Sequence, residues 1–277
     1  MKKSIVWLAS YPKSGNTWVR IFLANYLMNA DKPVSINQVN RFGMGDSISK
    51  AYRMVGGEDA DLTSVHVSVA LRPKVLRGIV ANNADVNLVK THNICSSAFG
   101  HELIPANVTR SAVYIIRNPL DVIVSYSRHY GVSIPDSVAA FSRSDHAAPA
   151  GLNTVHQFLG SWSEHVSSWI EPKKEYPTCI LRYEDMLGQP EVAFGKLVKH
   201  IGIPLEKERL KRAIKFSSFE ELSSQEEKHG FVEGSDKTDR FFVKGQTGQW
   251  QEQLTPQLVK RVKKDHRKIM KKFGYLE

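Results

Sequence analysis

Several short segments of this chain combine cationic side chains, hydroxyls and glycine at spacings that suit anion chemistry. The first is Tyr11-Pro12-Lys13-Ser14-Gly15-Asn16-Thr17-Trp18, set between an apolar run and a helix-forming one. At such a junction the loop amides and the first helical N–H groups point outward together. The helix dipole adds partial positive charge and Lys13 a full one, so the segment reads as an anion cradle. It is not a nucleotide-triphosphatase loop, because GxxxxGK[ST] needs a glycine ahead of the lysine, and here Lys13 precedes the glycine. In the second segment, Tyr114 to Tyr126, Arg117 ends a strand and can grip a terminal phosphate through parallel hydrogen bonds. Ser125, two turns into the following helix, adds a hydroxyl donor. The third, Lys90-Thr91-His92, ends another strand on an imidazole, the side chain best suited to moving protons near neutral pH. The fourth is Lys244-Gly245-Gln246-Thr247-Gly248-Gln249-Trp250, whose glycines let backbone amides approach an anion closely.

These segments need a scaffold that brings strand ends together. Ser4 to Ser10 is a short, nearly continuous apolar run, the pattern of a parallel strand buried on both faces. Val86 to Val89, Ala112 to Ile116 and Thr178 to Leu181 read as further strands, each leading into polar, chemically capable residues. Ligands of open parallel sheets sit beyond the carboxyl ends of the strands. Helices are predicted from Thr17 onward, over Pro119 to His129, Val155 to Ile170, Pro190 to Ile201 and Leu205 to Ile214, and from Thr255-Pro256. Residues 31 to 73 and 130 to 153 read as irregular, and Ser223 to Arg240 as a mobile loop. No internal repeat or linker divides the chain, so residues 1–277 are expected to form a single domain.

Taken in order, the segments resemble the cytosolic-type sulfotransferases that use 3′-phosphoadenosine 5′-phosphosulfate (PAPS). The Tyr11 to Trp18 loop is similar to that family's 5′-phosphosulfate loop, with Asn16 where many members have threonine. The segment around Arg117 and Ser125 resembles its 3′-phosphate-binding element. Lys90-Thr91-His92 matches its strand-end motif, and Lys244 to Trp250 its KGxxGxW signature. Weaker matches, Trp18, Tyr183, Ser217 and Phe219, fall where the family stacks on or bonds the purine. An arginine usual before Lys244 is Val243 here, which points to a weaker 3′-phosphate grip unless Arg240 compensates. The resemblance runs from Ile5 to Trp250.

It implies an α/β, three-layer P-loop-like fold with a central parallel sheet flanked by helices, and in-line sulfuryl transfer to a hydroxyl or amine. PAPS would be the donor and 3′-phosphoadenosine 5′-phosphate (PAP) the product, with no metal. His92 is then the general base, Lys13 stabilises charge on the bridging oxygen and 5′-phosphate, and Lys90 steadies the sulfuryl oxygens. Ser125 bonds the 3′-phosphate and restrains Lys13. Ser14, Gly15, Asn16 and Thr17 furnish loop donors, and Lys244 and Gly245 close over the 3′-phosphate. The acceptor, a small molecule, is expected to be chosen by residues 31 to 73, 130 to 153 and 223 to 243, and the 223 to 240 segment to order over the site. The early position of Lys13 suggests a bacterial-type member.

Bulk properties narrow the alternatives. The chain has 277 residues, 42% of them hydrophobic, and a formal charge of +10, enough for a substantial core and a surface that attracts anions. The basic C-terminal stretch from Lys260 to Lys272 reads as the solvated face of a helix rather than a nucleic-acid patch. Cys95 and Cys179, the only cysteines, match no zinc spacing. The apolar stretch after Lys3 is too short for a signal peptide, and no span reaches membrane length, so a cytoplasmic protein without stable membrane insertion is expected. The dimer signature of some relatives is not reproduced after Trp250, which leaves the oligomer open. A nucleotide-dependent kinase and a non-catalytic nucleotide-binding module are the competing readings.

Overall fold

Every residue of Ile5–Ser10 is buried, as a strand covered on both faces requires. In the computed structural model, which describes residues 2–171 and 175–276, this strand lies at the centre of a five-stranded sheet. The order is Met44–Gly45, Asn87–Thr91, Ile5–Ser10, Thr109–Ile116, Thr178–Arg182. The sheet is parallel and flanked by helices, the expected α/β fold. Ile5–Ser10 pairs with Asn87–Thr91 in the register Ile5 to Asn87 through Ala9 to Thr91, so both strands end at the same edge.

The chain divides into two compact units. The first comprises Met1–Tyr11, Gly43–Tyr114 and Arg143–Ile180, and holds the bodies of the sheet strands. Its core includes Trp7, fully buried, whose indole N–H donates to Thr109 Oγ1 at 2.9 Å. The second comprises Pro12–Phe42, Ile115–Ser142 and Leu181–Glu277. There the helix Asn16–Met28 stacks Phe22 on Phe194 at 4.0 Å between ring centroids. Beside it, Ile21, Ile36, Val39, Leu222 and Phe242 form an apolar cluster. No helix among the described residues is long and apolar enough to cross a membrane.

Local chemistry sets the helix ends. Pro119 opens the helix Pro119–Tyr130, Asn118 Oδ1 caps Leu120 N at 3.1 Å, and left-handed Gly131 stops it. The predicted helix from Val155 starts only at Trp162, because Ser161 and Glu164 form a capping box and residues Gln157–Phe158 pair with Ala147–Ala148. The Leu205 to Ile214 helix is Lys207–Phe216. The Ser223 to Arg240 segment is not all loop, since its first residues belong to the helix Phe219–His229, capped by Ser218. Residues 31 to 73 carry the 3-10 helix Ile36–Arg41, the strand Met44–Gly45, the α-helix Ser49–Gly56 and the start of Val65–Val80, and residues 130 to 153 carry Ile134–Phe141.

Candidate active site

The loop after Ile5–Ser10 is built on left-handed backbone. Lys13 has φ 68° and Gly15 φ 105°, and a Cβ on Gly15 would lie 2.8 Å from Tyr183 Cδ2. Glycine is therefore required both by conformation and by the close approach of an aromatic ring. The helix Asn16–Met28 begins directly after it, with its N-terminal amides at the loop.

In the second unit the structure brings this loop together with the Arg117 and Lys244 segments. Arg117 lies 4.2 Å above the Tyr183 ring, and its NH1 and NH2 donate to Lys13 O at 3.4 Å and Gln246 O at 3.1 Å. Arg117 Nε and Ser14 Oγ are both buried without a hydrogen-bond partner among the described residues. Buried donors are normally satisfied, so two orphans at an electropositive loop mark a place that fits an anion. Asp121 secures the glycine-rich segment by accepting Gly248 N at 2.9 Å and Trp250 N at 3.3 Å. Gly245, at φ 57°, lies flat against Phe219, whose Cδ2 would be 2.4 Å from an added Cβ.

The purine candidates adjoin this cradle. Trp18 meets Tyr183 edge-on at 5.6 Å and donates through its indole N–H to Ser217 O at 2.8 Å. Ser217, which caps the helix Lys207–Phe216, bonds Ala213 O through its Oγ at 2.8 Å. Asn16 Oδ1 and Thr17 Oγ1 accept from Arg20 Nε at 3.1 Å and NH2 at 3.1 Å, and Thr17 also donates to Glu233 Oε2 at 3.0 Å. Lys13 Nζ sits 3.7 Å from the centroid of Phe241. Phe241 and Phe242 are in turn held by their amides, which donate to the buried Glu226 carboxylate at 2.6 and 2.9 Å. Ser125 is half-buried on the helix Pro119–Tyr130. Lys244 Nζ lies 3.7 Å from Glu252, Val243 is exposed, and Arg240 lies 3.4 Å from Glu227.

Lys90 and His92 belong to the first unit. His92 Nδ1 lies 2.8 Å from Ser10 O and 3.2 Å from Ser10 Oγ. A carbonyl can only accept, so Nδ1 carries the proton in this contact, and in the neutral form of such a ring the lone pair is on Nε2. The main chain is held as well: His92 O accepts His165 Nε2 at 3.0 Å, and His165 Nδ1 pairs with Tyr114 OH at 2.9 Å. Burial pushes the His165 pKa down to about 4, against a small opposing pull from its bond to His92, which leaves His165 neutral and structural. Arg20, Asp121, Glu226, Glu233 and Phe241 were not singled out from sequence. Of these, Asp121 stands next to a recognisable motif, four residues after Arg117 in Arg117-Asn118-Pro119-Leu120-Asp121.

The sulfotransferase domain family matches residues 3–274 of the chain. The mouse protein "Sulfotransferase 1 family member D1" is 24% identical over 96% of this chain and 83% of its own length. "Flavonol 3-sulfotransferase" of Flaveria bidentis is 30% identical over 94% of this chain and 79% of its own. In fold, the chain is similar to mouse sulfotransferase SULT7A1 complexed with PAP, with TM-score 0.63, 18% identity, and coverage of 99% and 90% of the two chains. It is also similar to retinol dehydratase in complex with retinol and PAP, with TM-score 0.65, 19% identity, and coverage of 98% and 82%. With the match running over almost its whole length, the chain belongs to the sulfotransferase domain family, and its reaction is sulfuryl transfer.

Proposed function

We propose that this sulfotransferase moves the sulfuryl group of PAPS to a hydroxyl or amine of a small-molecule acceptor, releasing PAP, with His92 as general base. The observation that carries the reading is the donor set around Arg117. Its Nε and Ser14 Oγ are buried without partners, beside the left-handed Lys13 to Gly15 backbone and the N-terminus of Asn16–Met28. Such a cationic donor set suits a phosphate, whose oxygens form charge-assisted hydrogen bonds stronger than those of a neutral acceptor. The relatives' solved complexes with PAP support the same ligand class.

PAPS supplies an activated sulfur whose bond to the bridging oxygen breaks as the acceptor attacks, the electron pair leaving on PAP. His92 Nε2 takes the acceptor's proton, the Ser10 carbonyl steadying the resulting imidazolium through Nδ1–H. Lys13 offsets charge on the leaving phosphate and Lys90 charge on the sulfuryl oxygens. Arg117 and Ser125 hold the 3′-phosphate, Lys244 and Gly245 cover it, and Trp18, Tyr183, Ser217 and Phe219 hold the purine. Ser14, Gly15, Asn16 and Thr17 line the 5′ side.

Calorimetric titration with PAP, adenosine 5′-phosphate and Mg-ATP tests the donor. Tight binding of PAP alone is expected. Equal affinity for PAP and adenosine 5′-phosphate would remove the 3′-phosphate site, and preference for Mg-ATP would replace the reading with a kinase. His92→Ala is expected to keep PAP affinity and abolish turnover of PAPS.

A further inference from the structure

A buried ion pair lies beneath the strand that ends in Lys90-Thr91-His92. Asp46 follows Met44–Gly45, which pairs in parallel with Asn87–Thr91, and its N–H donates to Lys90 O at 3.0 Å. Its side chain and that of Arg72, in the middle of the helix Val65–Val80, are only 1% and 3% exposed. Asp46 Oδ2 accepts from Arg72 NH2 at 2.6 Å, from Thr91 Oγ1 at 2.7 Å and from Asn93 Nδ2 at 3.1 Å, while Oδ1 accepts from Ser47 Oγ at 2.8 Å. Arg72 is completed by Leu103 O at 2.8 Å and Tyr52 OH at 3.3 Å. One carboxylate oxygen therefore holds the residue before His92 and the residue after it.

The surroundings tighten the arrangement further. Thr91 Oγ1 also accepts Asn93 N at 3.0 Å, Asn93 Oδ1 accepts Phe158 N at 2.9 Å, and Asn93 O accepts Trp169 Nε1 at 3.1 Å. A buried ion pair stabilises a fold little better than apolar residues of the same volume, since desolvation offsets most of the attraction. What this pair adds is direction: the side chains on either side of one imidazole are fixed to a single charged atom.

We propose that Asp46, backed by Arg72, is a positioning residue for His92, holding Thr91 and Asn93 so that the ring keeps Nδ1–H on the Ser10 carbonyl and presents Nε2 as the base. This rests on the reading of His92 as the base. Asp46 touches no reacting atom and acts only through the main chain of the histidine.

Asp46→Ala would strand the Arg72 cation in a dry site and is expected to unfold the protein, so the test runs through Thr91. Thr91→Val keeps the shape and removes the hydroxyl, and Thr91→Ser returns it. Imidazole nitrogen spectra of the full chain, recorded at mildly alkaline pH with His92→Gln to assign the ring, report the tautomer without any acceptor. The wild type is expected to show the proton on Nδ1. Thr91→Val should turn this into a mixture with Nε2–H, the form favoured in water, and lower kcat by about tenfold with PAP affinity kept. Thr91→Ser should restore both. A folded Thr91→Val with an unchanged tautomer overturns the proposal, as does failure of Thr91→Ser to rescue. Turnover retained in His92→Ala would instead overturn the base reading, whatever the Thr91 spectra show.

Discussion

Arg20 NH2 and Glu233 Oε2 lie 2.5 Å apart, and the same carboxylate oxygen accepts the Thr17 hydroxyl at 3.0 Å. The Arg20 side chain is fully buried and Glu233 only 18% exposed. The segment after the helix Phe219–His229 is thus tied to the first turn of the helix that follows the anion cradle. Removing the carboxylate leaves a cation in a dry place, and Glu233→Ala is expected to lose about 3 kcal/mol of stability and to be cut faster by protease between residues 230 and 240. Glu233→Gln keeps an oxygen for both donors and should lose less. Unchanged stability of Glu233→Ala would mean that Asn16, Thr17 and Asn40 satisfy Arg20 by themselves.

Arg117 combines a planar fork aimed at two carbonyls with a face laid on Tyr183. Lysine keeps the charge and loses both features. Arg117→Lys should weaken PAP by about 30-fold, or roughly 2 kcal/mol, and leave adenosine 5′-phosphate binding within about twofold. If both ligands weaken equally, Arg117 supports the loop and does not read the 3′-phosphate.

The glycines of the cradle make a sharper claim. Gly15 and Gly245 have positive φ and face Tyr183 and Phe219 at distances no Cβ tolerates. Alanine at either position adds about 1 to 2 kcal/mol of backbone strain and pushes an aromatic ring off its seat. Both variants should lose most PAP affinity in calorimetry with only a modest drop in Tm. Gly57, at positive φ but with nothing near its missing Cβ, is the control: Gly57→Ala should lower Tm comparably and bind PAP normally.

These relationships differ in how far the sequence exposes them. Ile5–Ser10 and, within Thr109–Ile116, the stretch Ala112 to Ile116 announce themselves as nearly continuous apolar runs, because strands covered on both faces have no polar side to show. Met44–Gly45 is too short to carry a period, and the helix Val65–Val80 hides behind Arg72 and Pro73 at its centre. A charged residue in a pattern reads as surface, yet Arg72 and Asp46 point inward together. The same holds for the site. Lys13, Arg117, His92 and Lys244 stand in recognisable local order, whereas Arg20 and Glu233 are 213 positions apart and pair only in three dimensions. Motif spacing singles out the candidate ligand-binding groups, and long-range pairs such as Arg20 and Glu233 leave no local trace.

Two buried histidines set an acid limit on the fold. Burial lowers the pKa of both His165 and His266 to about 4, from an ordinary 6.5. Between these values the unfolded chain binds protons that the folded one refuses, so stability rises with pH across this window and is lost as pH falls from about 6.5 to about 4. Each histidine contributes up to about 3 kcal/mol of that loss. Asp46 adds its share only further down: burial raises its pKa, but Arg72 and the hydroxyl donors outweigh it and hold the carboxyl below 3.8, so its contribution is present above that value and disappears as pH drops through the folded pKa. Denaturant unfolding at pH 7, 6, 5 and 4 should show a steady loss of stability, and His266→Gln, which cannot take up the proton, should flatten the slope by about half. A slope unaltered in His266→Gln would mean that its ring is already protonated in the folded state.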